Sequence, residues 1–219
     1  MDARRAAILN TLGVERYVAR APLPRTDDAD APALDWDTLE RSVAGCHKCA
    51  LAATRTQTVF GVGNRAAEWL IVGEAPGAEE DRQGEPFVGR AGQLLNSMLK
   101  AIGLSRGEVY IANILKCRPP HNRDPAPAEV SCCLPYLHRQ IALIKPRLIL
   151  CVGRIAAQNL LATDLPLARL RGRVHSLEPF AVPVVVTYHP AYLLRSPGEK
   201  RKAWIDLQYA REVAHGAVA

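Results

Sequence analysis

The sequence lacks any long uninterrupted apolar stretch. No run approaches the roughly 20 apolar residues that a membrane-spanning helix needs. The first twenty residues, MDARRAAILNTLGVERYVAR, carry charges scattered among their apolar positions, so they contain no secretory hydrophobic region. We therefore expect a cytoplasmic protein that does not associate with a membrane.

Two nucleotide-binding signatures are also missing. The chain has neither the GxGxxG fingerprint of dinucleotide-binding domains nor the lysine-containing Walker loop of phosphate-binding enzymes. Both absences argue against a nucleotide cofactor. The chain also has no internal repeat, so we expect one domain of ordinary size rather than a repeat array.

The net charge and the cysteines indicate which kinds of partner and ligand to expect. Lys and Arg total 28 against 22 Asp and Glu, giving a formal charge of +6 and a pI near 9.1, which favours a polyanionic partner. The chain has six cysteines, and disulfides are not expected in a reducing compartment. The cysteines must therefore serve a metal, a cluster or the core.

The N-terminal part differs in composition from the rest. Residues 2–19 have a weak helical pattern, and residues 21–37 are rich in Pro, Ala and Asp, which is typical of a linker. The core is expected to start near Leu39. We therefore predict an N-terminal extension over residues 1–40, partly flexible, and a folded domain over residues 41–215.

Within the folded domain, apolar runs of strand length alternate with helical patterns. The predicted strands are Trp69–Val72, Val109–Leu115, Arg147–Val152 and Val182–Tyr188. The predicted helices are Ala91–Leu104, Pro127–Ile144 and Arg154–Ala162. Such alternation predicts a parallel α/β sheet wrapped by helices, with a ligand site at the carboxyl ends of its strands.

Polar or glycine-bearing segments follow every predicted strand. The first of them begins the loop GEAPGAEEDRQGEPFVGRAGQLL, residues 73–95, which holds glycines, several carboxylates and one aromatic residue, Phe87. Glycines permit close backbone approach to a ligand, and an aromatic ring in a polar loop can stack on a planar one. The alternative is a surface loop with solvated acids.

Cysteine spacing indicates a metal centre. Cys46 and Cys49 form a CxxC pair, Cys117 follows the second predicted strand, and Cys132 and Cys133 lie on the next helix. Four thiolates from such segments suit either zinc or a [4Fe–4S] cluster, and spacing alone does not separate the two. Cys151, inside an apolar strand, is expected to be a core residue.

The segment Thr187–Arg195, TYHPAYLLR, places a histidine at the end of the last strand. His189 in that position can donate a hydrogen bond to charge that develops on a leaving group. The alternative is a histidine that only caps the helix that follows.

Three motifs taken together resemble family 4 of the uracil-DNA glycosylases, the iron–sulfur type of bacteria and archaea. They are the 73–95 loop, YIANILKCRPPHNRDP and YHPAYLLR, and the match extends from Cys46 to about Arg211. The resemblance implies a four-stranded parallel sheet flanked by helices on both faces and a [4Fe–4S] cluster. It also implies base excision repair: hydrolysis of the N-glycosidic bond of flipped-out deoxyuridine, leaving an abasic site.

The resemblance also implies roles for individual residues. Phe87 would stack on uracil, Asn113 would bind its Watson–Crick edge, and His189 would stabilise negative charge on O2. Gly73, Glu74 and Ala75 would line the pocket, and Glu80 or Asn122 would orient water. The family's cluster pattern selects Cys46, Cys49, Cys117 and Cys133 as ligands, while Leu193, Leu194 and Arg195 would form the wedge that holds DNA open.

The chain departs from related sequences at one important position. Family 1 enzymes carry an aspartate that positions water where this chain has Ala75.

The expected partner is uracil-containing DNA, single- or double-stranded, bound by a monomer that is nucleoid-associated when on DNA. Two alternatives are a protein that traps uracil-DNA covalently, for which His121 is the candidate, and a zinc-stapled DNA-binding module without catalysis.

Overall fold

The structure, a computed structural model, describes residues 34–216. The first element in this range is helix α1 (Trp36–Ala44). The predicted helix over 2–19 and most of the predicted linker lie outside these residues. Asp35 caps α1 by accepting a hydrogen bond from the Thr38 N–H at 2.8 Å, so the helix starts inside the predicted linker. Its buried face, Leu39 and Val43, belongs to the core.

Strands and helices alternate through the rest of the described chain. The strands are β1 (Val62–Gly63), β2 (Trp69–Gly73), β3 (Tyr110–Asn113), β4 (Leu148–Val152), β5 (His175–Leu177) and β6 (Val182–Thr187). The further helices are α2 (Ala78–Gln83), α3 (Arg90–Ala101), α4 (Pro127–Ile144), α5 (Arg154–Leu160), α6 (Leu167–Leu170), α7 (Pro190–Arg195) and α8 (Lys200–Ala214). Short 3₁₀ turns lie at Ala50–Ala53, Pro120–Asn122 and Pro197–Glu199.

The sheet corrects the prediction of four parallel strands. It is mixed and has six strands in the order β1-β3-β2-β4-β6-β5. The four central strands are parallel, as predicted, but β1 and β5 pair antiparallel at the two edges. These edge strands have only 2 and 3 residues, too few for a period-2 pattern to reveal them in the sequence.

Both faces of the central sheet are buried under helices. Leu70 and Val72 of β2 pack in a core with α1, α4 and α5, whereas Trp69 and Ile71 pack on the other face with α3 and α8. Every residue of β2 is therefore buried, as expected for a central parallel strand. Within residues 34–216, no helix has both the length and the apolar character to span a bilayer.

Candidate active site and cysteine site

A cleft lies at the carboxyl ends of the parallel strands, where ligand sites of open α/β sheets form. It encloses about 1120 Å³, part of it open to solvent. The structure brings eight of the residues predicted from sequence together in its wall: Glu74, Ala75, Glu80, Phe87, Asn113, Asn122, His189 and Arg195. Gly73, the last residue of β2, lies directly beneath Asn113 and Phe87.

Asn113 ends β3 and is only 2% exposed. Among the described residues, no group donates a hydrogen bond to its Oδ1 atom, although that atom is buried. Leaving a buried polar atom without a partner costs about 1–3 kcal/mol. An amide held in this state in a cleft wall is suited to a ligand that supplies the missing hydrogen bond.

Phe87 lies beside this amide in an unusual backbone conformation. Its φ angle is 54°, in the left-handed region that non-glycine residues rarely adopt, and strain of this kind concentrates at functional sites. Its ring centroid is 5.7 Å from that of His189, with a 31° angle between the planes. Glycines make room for it: a methyl group on Gly73 would lie 2.7 Å from the Phe87 ring, and one on Gly92 would overlap its carbonyl.

Two charged residues hold the loop that carries Phe87. Glu80 Oε1 accepts hydrogen bonds from the main-chain N–H groups of Val88 (3.0 Å) and Gly89 (3.2 Å). Arg106 Nη2 donates to Glu85 at 2.9 Å and also to the Pro86 carbonyl. Glu80 therefore lies in the cleft wall as predicted, with one oxygen engaged in shaping the loop. No motif in the sequence points to Arg106, because it lies outside all of them.

His189 is held as a neutral imidazole. Its Nδ1 accepts a hydrogen bond of 3.1 Å from the Ala191 N–H, so in the neutral ring the proton is on Nε2. Burial, together with the nearby positive charge of Arg195, lowers the pKa of His189 to about 4, and Glu80 opposes this shift weakly. At neutral pH the ring is therefore an uncharged hydrogen-bond donor.

Glu74 is one of the carboxyl groups that line the cleft, and its pKa is shifted. Burial raises its pKa to about 7, the negative charge of Asp124 adds to the effect, and Arg154 opposes it. Neighbouring Ala75 contributes no polar side chain. Asn122 also lines the cleft, where its Oδ1 accepts a hydrogen bond of 2.8 Å from Arg118 Nε.

One of the three residues predicted for the DNA wedge is buried in this structure. Leu193 is 1% exposed and packs in the core shared with α3 and α8, so it cannot insert into DNA in this conformation. Leu194 is 37% exposed and Arg195 lines the cleft. The sequence reasoning missed Tyr192, which is 38% exposed at the same cleft.

A second, smaller cavity lies among five cysteines, Cys46, Cys49, Cys117, Cys132 and Cys133. Cys117 Sγ accepts a hydrogen bond from Arg55 Nη1 (3.3 Å), and Cys133 Sγ accepts one from the Lys116 N–H (3.2 Å). Cys132 Sγ instead lies 3.4 Å from the Lys48 carbonyl, as donor. Cys151 is fully buried in β4, in agreement with its predicted core role.

No three His, Cys, Asp or Glu side chains within residues 34–216 lie close enough together to hold a single metal ion. The cysteines nevertheless surround one shared cavity. A set of thiolate donors around one cavity suits zinc or an iron–sulfur cluster.

Comparison with known proteins finds relatives that match most of the chain. The model of the uracil DNA glycosylase superfamily matches residues 60–208. A type-4 uracil-DNA glycosylase of Archaeoglobus fulgidus is 50% identical over 167 residues, covering 74% of this chain and 84% of the relative. The type-4 enzyme of Pyrobaculum aerophilum is 42% identical over 183 residues, covering 80% and 92%.

A relative of another type matches a smaller share of the chain at lower identity. A type-5 uracil-DNA glycosylase of Thermus thermophilus is 35% identical over 119 residues, covering 48% of this chain. The type-4 relatives match at higher identity and over a larger share of both chains. This chain therefore belongs to the uracil DNA glycosylase superfamily and, within it, to the type-4 family.

Proposed function

We propose that this protein is a monofunctional uracil-DNA glycosylase that hydrolyses the N-glycosidic bond of flipped-out deoxyuridine, releasing uracil and leaving an abasic site. The observation that carries the proposal is the buried Asn113 amide, whose Oδ1 has no partner within the described residues, in a cleft that also holds Phe87 and His189. A planar base that presents an N–H to this amide would satisfy it.

Base recognition would combine stacking with a directional pair of hydrogen bonds. The Phe87 ring offers a flat apolar surface, and the Asn113 amide offers one acceptor and two donors. In uracil, N3–H donates and O4 accepts, which complements the amide; cytosine presents the opposite pattern at the same positions. Rejection of cytosine would follow because an unpaired buried polar group is costly.

Bond cleavage would depend on stabilising the leaving uracil. As the glycosidic bond breaks, negative charge develops on O2, and the Nε2–H of neutral His189 would donate a hydrogen bond to it. A neutral donor suits this role, since its hydrogen bond strengthens as charge builds on the base. Removing one such donor typically costs about 100- to 1000-fold in rate.

Water handling would fall to two of the carboxyl groups that line the cleft, those of Glu74 and Glu80. Glu74 is the stronger candidate for orienting the attacking water, because it is partly buried and Ala75 supplies no alternative. We assign Glu80 mainly to positioning the Phe87 loop, since one of its oxygens binds two main-chain N–H groups there. Asn122 would assist from the far wall of the cleft.

We further propose that Cys46, Cys49, Cys117 and Cys133 bind a [4Fe–4S] cluster. The hydrogen bonds that Arg55 and Lys116 donate to two of these sulfurs are the kind that stabilise thiolate ligands. When bound, the cluster would supply four iron–thiolate bonds that tie the segment after α1 to β3 and α4. Zinc, which four thiolates also bind, is the alternative.

DNA would bind across the mouth of the cleft. A formal charge of +6 favours a polyanion, and Arg195 and the exposed Leu194 remain candidates for contacts that hold the duplex open.

The domain predicted over residues 41–215 would include all of these groups, and α1 adds residues 36–40, since Leu39 packs in the same core. We propose that the protein acts as a monomer in the cytoplasm, at the nucleoid when bound to DNA.

The proposal is tested with single- and double-stranded oligonucleotides that contain one uracil, followed by alkali, which cleaves at abasic sites. We expect strand cleavage by the parent protein, little or none by Asn113→Asp, and cleavage about 100-fold slower by His189→Ala. Intact strands with the parent, under conditions where the purified protein is brown with bound cluster, would contradict the proposal. A protein–DNA band that survives denaturation would instead indicate covalent trapping.

A further inference from the structure

Three side chains stack in a column beside the cleft. The guanidinium carbon of Arg171 lies 4.2 Å from the centroid of the Tyr188 ring, a cation–π contact. The Tyr188 and Tyr192 rings are stacked, with centroids 5.3 Å apart and planes 14° from parallel. The order of the column is therefore Arg171, Tyr188, Tyr192.

The inner end of this column is fixed by charge-assisted hydrogen bonds. Arg171 donates from Nε (2.7 Å) and Nη2 (2.9 Å) to the two oxygens of Asp206, a buried carboxylate. Thr187 Oγ1 donates to the same carboxylate at 2.8 Å, and Arg171 Nη1 donates to the Tyr188 hydroxyl at 3.2 Å. Bidentate pairing of this kind holds the guanidinium in one orientation, so Tyr188 has a rigid support.

The outer end of the column faces the cleft. Tyr192 is 38% exposed and lines the cleft together with His189 and Arg195. Its N–H donates to the His189 carbonyl at 2.9 Å, so its position is coupled to that of the catalytic histidine. Tyr192 lines the cleft, whereas Tyr188, the ring that stacks on it, does not.

A solitary exposed tyrosine on a helix is ordinary and calls for no explanation. Tyr192 differs because it stacks on a second ring that a fixed guanidinium supports, and because it is partly exposed at the cleft. Proteins that bind single-stranded nucleic acid present aromatic platforms of this kind, on which successive bases stack. A duplex held open beside a flipped nucleotide exposes a base face that has lost its neighbour.

We propose that Tyr192 is a stacking platform for the nucleobase next to the flipped deoxyuridine. The inference rests on the proposed glycosylase function, and it assigns to the stacked column the DNA contact that buried Leu193 cannot make. The base would extend the column as its fourth layer, while Arg195, three residues along the same helix, would contact the adjoining phosphate. The ligand would be the flat face of a purine or pyrimidine ring, and Tyr192 would not contact the hydrogen-bonding edge of that base.

The test is a cycle between protein and DNA changes. The substrates are uracil oligonucleotides with all bases present, or with the base on the 5′ or the 3′ side of uracil replaced by an abasic analogue. Each is assayed with the parent, Tyr192→Ala and Tyr192→Phe, measuring KM and kcat for excision. Leu165→Ala serves as a control, because Leu165 is an exposed apolar residue outside the cleft.

For the parent, we expect removal of one flanking base to raise KM by about 5- to 150-fold, the range that stacking of about 1–3 kcal/mol produces. Tyr192→Ala should raise KM to a similar extent on intact DNA and should be insensitive to removal of that base. Tyr192→Phe should restore the sensitivity, since it keeps the ring. Leu165→Ala should behave as the parent does.

Two outcomes would overturn the inference. One is that Tyr192→Ala responds to the missing base as strongly as the parent, and the other is that the parent does not respond at either side. Thermal unfolding of each variant excludes general destabilisation as the cause. Absence of excision by the parent on every substrate would instead overturn the proposed function, so the two failures are distinguishable.

Discussion

The Lys116 ammonium group donates a hydrogen bond of 3.0 Å to the main-chain carbonyl of Asn113. Lys116 is only 1% exposed, and its second acceptor is Gln140 Oε1 at 2.7 Å. The main-chain N–H of the same lysine donates to Cys133 Sγ. One buried residue therefore contacts both the amide residue of the cleft and the cysteine site.

Lys116→Met should test this connection. The change leaves the Asn113 carbonyl and Gln140 Oε1 without their donor, which should lower the free energy of unfolding by about 1–3 kcal/mol per buried acceptor. It should also lower kcat/KM at least about tenfold, because Asn113 loses its main-chain support. Urea unfolding and the oligonucleotide assay measure the two effects.

A charge-loss control separates the role of Lys116 from a general effect of charge. Lys100→Met, at an exposed lysine of α3, removes a positive charge at the surface. It should keep the stability and activity of the parent. A Lys116→Met protein that loses stability but keeps the parental kcat/KM would show that Lys116 is only structural.

Glu74 should control the pH dependence of activity. Because its pKa is raised from 4.5 to about 7, the carboxylate forms only as the pH rises through 7. We expect kcat/KM to increase across pH 6–8 with an inflection near 7, and Glu74→Gln to be slower and to lack that inflection. An unchanged inflection in Glu74→Gln would assign it to another group.

The raised pKa of Glu74 also makes the stability of the protein depend on pH. In the folded state Glu74 holds its proton up to about pH 7, whereas in the unfolded chain it loses the proton near 4.5. The folded state therefore binds more protons between these values, and the contribution of Glu74 to stability falls as the pH rises through that window. Glu74→Gln should remove this slope in urea unfolding curves measured from pH 4.5 to 7.5.

His189 should stay neutral down to mildly acidic pH. Its pKa of about 4 in the folded state lies below its ordinary 6.5, so the unfolded chain binds the proton first as the pH falls. Its contribution to stability should therefore decrease from pH 6.5 to pH 4. The His189 ring resonances in an NMR titration provide the measurement, and a midpoint near 6.5 would contradict the neutral-donor role.

Gly73→Ala should disable the cleft without unfolding the protein. An added methyl group would overlap Asn113 Oδ1 and lie 2.7 Å from the Phe87 ring, so one of the two must move. A displacement of about 1 Å at a reacting group can cost about 100-fold in rate. Gly107→Ala is the matched control, because nothing lies within 4 Å of a methyl group there. Equal activity of the two variants would show that the cleft tolerates the shift.

Iron content should distinguish the two adjacent cysteines. Cys133→Ser should lose most of the iron and the brown colour, since Cys133 is the buried thiol that Lys116 contacts. Cys132→Ser should retain both, because the Cys132 thiol lies against the Lys48 carbonyl. Iron analysis and visible absorption give the readout, and loss of iron in Cys132→Ser alone would reverse the assignment.

The sequence by itself determined the central sheet and the residues at its carboxyl edge. The buried strands are apolar runs, and Gly73, Asn113 and His189 lie at or just after their ends, which identifies the edge where a ligand binds. Family membership follows from motifs that are continuous in the chain. These features depend on local order, so residue type and spacing are sufficient to predict them.

Tertiary packing alone decided the rest. Leu193 and Tyr192 are neighbours on α7, and only the way that helix sits on the core determines that the leucine is buried and the tyrosine exposed. The edge strands β1 and β5 form because each pairs with a longer strand of the sheet. Arg106, Arg171 and Lys116 hydrogen-bond to residues that are distant in sequence. Contacts between remote segments depend on how elements pack in space, and spacing along the chain does not record that packing.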